Sequence, residues 1–508
     1  MRKASVAILL VFACCGGRPR LTVSKETTYF TGPLRPDGSV DYAAALNELY
    51  GSGVTPETNA AVPLAAILGD AVPEPVAERM GLRQAPPPPE RFLGGIADWS
   101  KYIEWRRARG RPLPGTDDKA AGKRLDAELA AALQRPWSAK DHPLVAGWLE
   151  DMERPLEAVD RATRRPRHWI PITGPLSDAF MPSLLARRHV ANALRSRAML
   201  RLSEGDPDAA AGDVLAILRF ASRQAQGPTL IEHLMAVAIA GLGADVLPLV
   251  AAHSKLSRDA LRGMLTELEA LEALPAPAEK IGRGERAMML EAAVQTAFRG
   301  RGSGELDIGS LDRSLADWDE VLRMINRCYD AAIACLEAPT AEARQAACDE
   351  RDRLVPEDKA SAVTGLLKGG VSSTGRVMLV FQTIVAIALP SLGRTQVSFN
   401  EMSALDRLGR SGLVLRAYRG EKGRFPDRLE AVPASDLHGL SVAAREHGYR
   451  FAFEPGAKDG YTYTAMPEVQ GTSGVRSFCV DWTGTLVTLK DGAEPEVRGA
   501  RCMSISGQ

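Results

Sequence analysis

The chain has 508 residues, of which 45% are apolar and 25% are charged, proportions typical of folded globular proteins rather than of disordered chains. Its 63 lysines and arginines balance 63 aspartates and glutamates, which argues against nucleic acid as the main partner, because phosphate binding requires a basic excess. Only 6% of the residues are aromatic, which favours alanine- and leucine-rich helices, and no apolar stretch predicts a membrane-spanning helix.

The first residues have the pattern of an export signal. Residues 1–3 (MRK) are basic, and the apolar run over residues 4–12 is too short to span a bilayer but suits a signal-peptide core. We therefore predict a signal peptide over residues 1–13. The segment VFAC at residues 11–14 resembles a bacterial lipobox, which implies that Cys14 carries a lipid anchor and that the protein is a periplasmic or outer-membrane-associated lipoprotein. A plain secretory signal and a chain that is not exported are the alternatives.

The remaining cysteines are compatible with an oxidising compartment. Cys328 and Cys335 are seven residues apart, so a helix separates them by about 10 Å, too far for a mutual disulfide. Either of them can pair with Cys348. Cys479 and Cys502 are a candidate disulfide, although two free thiols fit the sequence equally well. No C-x-x-C motif and no close pair of histidines occurs, so we assign no metal ligands and no cofactor.

The N-terminal part, residues 14–116, is predicted to be a stalk followed by short helices. Residues 16–40 are rich in glycine, proline, threonine and charged residues, which predicts a mobile stalk. A short helix is predicted over residues 41–49, and a second one opens at residues 55–58, where Thr55 is the predicted cap and Pro56 the first helical residue, and continues over residues 60–68. The four prolines at residues 86–89 predict a stiff linker.

Residues 117–365 are predicted to form a helical bundle or repeat-like domain. The best-marked turn joins two helices around residue 205. Gly205 suits the left-handed position that ends one helix, Asp206 can cap the next helix, and Pro207 fits its first turn. Two helices joined by so short a turn lie antiparallel.

A third helix follows this hairpin. Thr229 and Glu232 form a capping-box pattern at its start. Residues 234–250 are apolar on nearly every face, which predicts a buried helix. A further helix is predicted over residues 317–330, and the glycines of residues 300–304 (GRGSG) indicate a flexible break rather than a nucleotide loop.

These hairpins resemble tetratricopeptide-type helical units. The resemblance rests on the turn at residues 205–207 and on alanine-rich packing, and it covers about 60 residues. It implies a surface that binds peptides or proteins. A helical bundle without a groove is the alternative.

The C-terminal part, residues 366–508, changes from helical to strand periodicity. An apolar segment over residues 377–389 is predicted to end at Pro390, and a long helix is predicted over residues 396–419. Alternation of period two then predicts an antiparallel sheet packed on that helix. Its four strands centre on residues 449–453, 461–465, 475–480 and 485–489. The predicted fold class is therefore α+β, with a large all-α region followed by a long helix and a four-stranded antiparallel sheet.

This helix-and-sheet order resembles the head of a type IV pilin or type II secretion pseudopilin. The matching segments are residues 418–426 (YRGEKGRFP), 460–465 (GYTYTA) and 474–481 (GVRSFCVD), and the resemblance covers about 110 residues. The apolar helix of a pilin stands at the mature N-terminus, whereas this one is internal, so the resemblance implies a soluble head rather than a filament subunit. It also implies a C-terminal disulfide between Cys479 and Cys502.

Across its full length, the chain resembles uncharacterised exported proteins of planctomycete-type bacteria. The segments that carry this resemblance are residues 31–34 (TGPL), 37–42 (DGSVDY), 57–61 (ETNAA), 226–232 (QGPTLIE) and 317–318 (DW). It implies export and supplies no activity.

No motif of a known catalytic class occurs in the chain. H-E-x-x-H, G-x-S-x-G and Walker loops are missing, and the seven histidines are scattered, so we assign no catalytic residue. We predict a non-catalytic extracytoplasmic protein that acts as a protein-binding or envelope scaffold module, with a partner and an oligomeric state that the sequence leaves open. Its contacts would come from apolar groove burial, with outward-facing arginines at positions 187, 188, 195 and 201. An extracytoplasmic hydrolase with a carboxylate and histidine site is the alternative.

Overall fold

The computed structural model describes residues 21–84, 90–114, 117–299, 315–338, 341–354, 372–456 and 459–503. The signal peptide, Cys14, the proline run and the glycine-rich break lie outside the described residues. The described residues belong to two compact units: one comprises those within 1–45 and 286–388, and the other those within 46–285 and 389–508. The boundaries expected after residues 116 and 365 do not coincide with these units, because each unit is built from segments distant in sequence.

Helices dominate both units. In chain order, the α-helices are α1 (Tyr42–Gly51), α2 (Ala61–Leu68), α3 (Glu74–Met80), α4 (Ser100–Ala108), α5 (Asp118–Ala132), α6 (Pro143–Asp151), α7 (Glu153–Thr163), α8 (Leu184–Glu204), α9 (Pro207–Gln224), α10 (Leu230–Ala244), α11 (Leu247–Ala252), α12 (Arg258–Ala270), α13 (Pro277–Lys280), α14 (Arg286–Arg299), α15 (Trp318–Glu337), α16 (Ala341–Leu354) and α17 (Ser373–Lys422). A π-helical turn, Ile281–Glu285, joins α13 to α14. Short 3-10 turns occur at Leu82–Gln84, Leu176–Asp178, Leu429–Ala431 and Ala434–Asp436.

The C-terminal sheet is an antiparallel meander. Its strands are β1 (Arg445–Glu446), β2 (Tyr449–Gly456), β3 (Gly460–Pro467), β4 (Ser477–Asp481) and β5 (Leu486–Leu489), in that spatial order. The predicted α+β architecture is confirmed, with five strands instead of four. The added β1 has only two residues and pairs with β2 across a two-residue turn at His447 and Gly448, whose φ angles are 45° and 71°. Positive φ at both positions suits a tight hairpin, but so short a strand leaves no alternating pattern in the sequence.

Helix α17 is longer than predicted. It continues through Pro390, which was expected to end an apolar helix over residues 377–389, so that expectation was wrong. A proline inside a helix removes one backbone N–H donor and perturbs a single turn. The other turns of this 50-residue helix keep their hydrogen bonds, and buried side chains such as Val385 and Phe399 stabilise the segments before and after the proline.

The N-terminal segment of the first unit is packed. A mobile stalk was expected over residues 16–40, but over residues 21–40 the structure contradicts this. Thr27 and Thr28 are buried, and the Asn326 side-chain amide donates to the carbonyl oxygen of Thr27 at 2.7 Å. The Tyr42 hydroxyl donates to the carbonyl oxygen of Thr28 at 3.0 Å. Asn326 lies 299 residues after Thr27, so local composition could not reveal its contact.

The caps of the central hairpin are as the sequence predicted. Gly205 has a φ of 80° and ends α8, while the Asp206 carboxylate accepts from the Ala209 N–H at 3.1 Å and caps α9. Thr229 and Glu232 form the predicted capping box at the start of α10. Such caps depend on residues within one helical turn, which explains their visibility in the sequence.

Buried ion pairs join α8 to its neighbours. Asp213 on α9 accepts from Arg197 at 2.6 Å and from Arg201 at 2.7 Å, and its side chain is 3% exposed. Arg187 is 1% exposed and contacts Asp70 at 3.0 Å. Arg187 was expected on an outer face, so that expectation was wrong. The Arg187 guanidinium is surrounded by protein and does not reach water. The Asp70 carboxylate, from another segment, compensates its charge.

The long helix and the sheet share one apolar layer. Leu405 and Leu408 of α17 pack with Tyr461, Tyr463 and Phe478 of the sheet. The opposite face of the sheet is covered by a smaller cluster that includes the disulfide-bonded cysteines at positions 479 and 502. Both faces of the central strands are therefore buried, which explains why β4 has no exposed residue.

The apolar segment Leu230–Ala252 has the length and composition of a membrane-spanning helix. No such segment was expected, so that expectation was wrong. The structure buries 61% of its most apolar window within the protein. This burial agrees with the core helix predicted over residues 234–250, because a helix enclosed by protein on all sides has the same apolar composition.

Removing the Asp213 carboxylate tests the buried ion pairs. We expect Asp213→Asn to lower the free energy of unfolding by about 3–5 kcal/mol, because it leaves two buried or half-buried guanidinium groups without compensation. Urea denaturation followed by circular dichroism measures the change. The matched control is Glu204→Gln on the exposed end of α8, for which we expect a change within about 0.5 kcal/mol. Equal stabilities for the two variants would contradict the assigned role of Asp213.

Candidate functional site

A cavity of about 220 Å³ lies in the second unit beside Lys280. Lys280 is the last residue of α13, immediately before the π-helical turn. Single π turns inside helices are often found at functional sites. The cavity is lined by Leu49, Tyr50, Arg167, Ser222, Ala225, Gln226, Glu272, Ala273, Pro275, Glu279, Lys280 and Arg283.

Lys280 is the best buried charged group of this cavity. Its side chain is enclosed, with 2% of the residue exposed, and its Nζ donates to the carbonyl oxygen of Gly227 at 2.8 Å. Within the described residues, no carboxylate oxygen lies within 4.0 Å of this Nζ. Burial lowers the pKa of Lys280 to about 8, although nearby carboxylates, Glu279 first among them, oppose the shift.

Close backbone packing fixes Lys280 against Gly227. Gly284 lies in the π turn, and a Cβ at this position would be 2.0 Å from the Pro228 carbonyl oxygen, so only glycine fits. The Glu285 carboxylate accepts from the Leu230 N–H at 3.1 Å, and burial raises the pKa of that carboxyl. The π turn and the start of α10 therefore hold each other in place.

Tyr50 provides a second polar group. The Lys280 Nζ is 5.1 Å from the centre of the Tyr50 ring, a distance typical of a cation–π contact. The Tyr50 hydroxyl is buried and has no hydrogen-bond partner within the part of the chain that the structure describes. Burial raises the pKa of Tyr50 to about 12, although Arg283 nearby opposes the shift. The phenol therefore keeps its proton at neutral pH.

The other polar residues of the cavity are already paired with one another. The Glu279 carboxylate contacts Arg283 at 2.7 Å, and the Gln226 amide donates to Glu272 at 3.0 Å. Arg167 donates to the Tyr50 carbonyl oxygen at 3.2 Å. Among the buried polar groups that the structure describes in the lining, these contacts leave the Lys280 ammonium and the Tyr50 hydroxyl with unused donors.

Of the buried histidines, His168 and His233 have the most strongly lowered pKa values, and neither lines the cavity. Burial lowers the pKa of His168 to about 3, and its Nε2 lies 3.0 Å from the Gln224 side-chain nitrogen. His233 is fully buried, and burial lowers its pKa to about 4. Both are neutral imidazoles at pH 7, which is typical of core histidines.

His438 and Glu269 form a histidine and carboxylate pair, and neither residue lines the cavity. His438 Nδ1 is 2.8 Å from a Glu269 carboxylate oxygen, on a partly exposed surface. Among the described residues, no serine, threonine or cysteine side chain hydrogen-bonds to this imidazole. No cluster of three metal-binding side chains occurs in the described ranges either.

The predicted cysteine sites have different outcomes. The structure joins Cys479 to Cys502 in a disulfide, with the two Cα atoms 5.9 Å apart. It also joins Cys335 to Cys348, one of the two pairings that the sequence left open, and Cys328 is a buried free thiol. Cys14 lies outside the described residues, so lipidation stays a prediction.

Sequence reasoning missed the cavity. Neither Lys280 nor Tyr50 was singled out, because Tyr50, Gly227 and Lys280 are distant in the chain. The available signal was local: the glycines that flank Arg283 in the segment IGRGE indicate an unusual backbone path beside a lysine.

Comparisons with protein-family models, with curated proteins and with solved structures find no match to this chain. The resemblances to pilin heads, tetratricopeptide-type units and planctomycete-type exported proteins therefore stay predictions. The chemistry of the cavity has to be inferred from its own geometry.

His168 should make stability depend on pH. Its pKa falls from 6.5 to about 3 on folding, so the unfolded chain binds more protons between these values. The stability that comes from keeping the His168 imidazole neutral is complete above pH 6.5 and is lost as the pH falls towards 3. We expect its loss to lower the free energy of unfolding by about 2 kcal/mol at pH 5.

The measurement is urea denaturation of the wild type and of His168→Gln at pH 7 and pH 5. We expect the variant to lose about 2 kcal/mol less than the wild type over this interval. His142→Gln, at a half-buried histidine beside Trp137, is the control and should lose as much as the wild type. An unchanged pH dependence in His168→Gln would refute the assignment.

Proposed function

We propose that this protein is a non-catalytic extracytoplasmic lipoprotein that acts as a protein-binding or scaffold module of the cell envelope. The observation that supports an extracytoplasmic location is a disulfide in each compact unit, Cys335–Cys348 and Cys479–Cys502. Disulfides persist in oxidising compartments and are rare in the cytosol. Residues 1–13 and Cys14 have the sequence pattern of the signal and lipid attachment that such a location requires.

The architecture supports recognition. Helices α8 and α9 form an antiparallel hairpin that resembles the units of peptide-binding repeat proteins. Helix α17 and the five-stranded sheet have the element order of a pilin-like head, and the internal position of the helix suits a soluble module. Most charged groups along α8 are paired within the protein, so they stabilise the packing of the helices and are not free to perform chemistry.

The loop after β3 is the best candidate contact surface of the head. Val469 and Val475 are 39% and 42% exposed, and a backbone bridge between Gln470 and Gly474 holds the loop between them closed. Two exposed valines on a closed loop form a small apolar contact surface, which suits a protein partner.

The location has a direct test. Expressed with its natural N-terminus in a Gram-negative host, the protein should incorporate labelled palmitate and fractionate with membranes. Cys14→Ser should lose the label, whereas the matched control Cys15→Ser should keep it. Recovery of the wild type in the cytosol, with the four bonded cysteines as free thiols, would refute the proposed location.

If the protein is a scaffold, a partner should bind it through the loop after β3. Chemical crosslinking of the full-length protein in intact envelopes should capture a defined partner. Val469→Asp combined with Val475→Asp should reduce this capture about tenfold, because it places charges in an apolar contact. Leu185→Asp on α8, where the leucine is 53% exposed, is the control and should leave capture unchanged.

Two outcomes would contradict this role. Failure of both the wild type and the control to capture a specific partner would argue against a scaffold. Turnover of a defined substrate that is lost on replacing His438 or Glu269 would favour the hydrolase alternative.

A further inference from the structure

Among the residues that the structure describes, the ammonium group of Lys280 has no close counter-ion. An ammonium carries three donor hydrogens, and the structure gives this one a single acceptor, the carbonyl oxygen of Gly227 at 2.8 Å. The carboxylates that influence it, those of Glu279, Glu232 and Glu272, all lie beyond 4.0 Å. Elsewhere in the same unit, buried arginines such as Arg187 have a carboxylate within 3.0 Å. Burying a charge without such a partner is costly, so a ligand that supplies the missing negative charge would bind favourably.

The Tyr50 hydroxyl adds a second unused donor to the same cavity. It is buried, and no acceptor takes its proton within the described residues. Arg283 nearby carries only donors, so it cannot accept that proton. The ammonium therefore keeps unused hydrogens and the hydroxyl keeps its proton unused, and both suit a ligand that carries acceptors and a negative charge.

The remaining lining restricts the ligand to a small monoanion with an apolar body. Leu49, Ala225, Ala273 and Pro275 contribute apolar surface to a volume of about 220 Å³, which admits a ligand of roughly ten heavy atoms. The guanidinium of Arg283 is already neutralised by Glu279 at 2.7 Å. The lining carries three cationic side chains, Arg167, Lys280 and Arg283, and two carboxylates, Glu272 and Glu279, so its formal net charge is +1. It therefore matches one negative charge rather than two.

We propose that this cavity is a binding site for a small carboxylate with a compact apolar or aromatic body. One or both carboxylate oxygens accept hydrogen bonds from the Lys280 ammonium and the Tyr50 hydroxyl, and the apolar body contacts Leu49 and Pro275. The site does not depend on the proposed scaffold role, because all its lining residues belong to the second unit and it needs no partner protein.

Benzoate and benzamide form a matched pair of probes for this site. They have nearly the same size and shape, but only benzoate carries a negative charge. Isothermal titration of the full-length protein at pH 7 should detect benzoate, with benzamide at least about tenfold weaker, since only benzoate offers the Lys280 ammonium a charged acceptor.

Two variants test whether Lys280 and Tyr50 bind the carboxylate group. Lys280→Met keeps a linear side chain and removes the charge, so benzoate should bind no better than benzamide. Tyr50→Phe should weaken benzoate about fivefold, because it removes one neutral donor. Lys255→Met, at an exposed lysine, is the control and should leave both affinities unchanged.

Folding is checked separately by thermal denaturation. We expect the Tm of Lys280→Met to equal or exceed that of the wild type, because a buried ammonium without a close counter-ion has been removed. If Lys280→Met does not fold, two other results decide whether the cavity binds a carboxylate. They are the affinity of Tyr50→Phe for benzoate and the comparison of benzoate with benzamide in the wild type.

Three results would overturn the proposal. The first is equal affinity of the wild type for benzoate and benzamide. The second is full benzoate affinity in folded Lys280→Met. The third is displacement of benzoate by an equal concentration of inorganic phosphate, because it would show a general anion site in place of a carboxylate site.

Discussion

A charged side chain buried in this protein requires a compensating partner, and this constraint organises the helical part of the second unit. Asp213 joins α8 to α9 because two arginines of α8 converge on it. Arg187 joins the same helix to Asp70, which lies more than one hundred residues earlier in the chain. Burying a charged side chain without these contacts is strongly destabilising. The contacts therefore fix how the helices pack against one another, and they also contribute to stability.

Lys280 departs from this constraint. It is as well buried as the paired arginines, yet its close contacts are one carbonyl oxygen and the face of Tyr50. The backbone around it is tightly built, since Gly284 packs against Pro228 with no room for a side chain. A rigid frame around an incompletely compensated charge is the usual arrangement of a preorganised binding site, where stability is given up locally for recognition.

The C-terminal sheet uses a different means of stabilisation. One face packs on α17, and the other is closed by the final segment of the chain. The buried Asp481 carboxylate accepts from the Cys502 N–H at 3.1 Å and from Arg501 at 3.0 Å, so the disulfide and this carboxylate hold the same segment. This dependence on a disulfide connects the fold to the oxidising compartment that the proposed function requires.

The sequence by itself determined those features that depend on neighbouring residues. The helix end at Gly205, the caps at Asp206 and Thr229, and the alternation that produces β2 and β3 all arise within one turn or one strand. Only the tertiary structure decided which charges are buried, that residues 21–40 pack against α15, and that Lys280 meets Gly227 and Tyr50 in a cavity. Those outcomes depend on contacts between segments from about fifty to three hundred residues apart, and local propensity carries no information about such contacts.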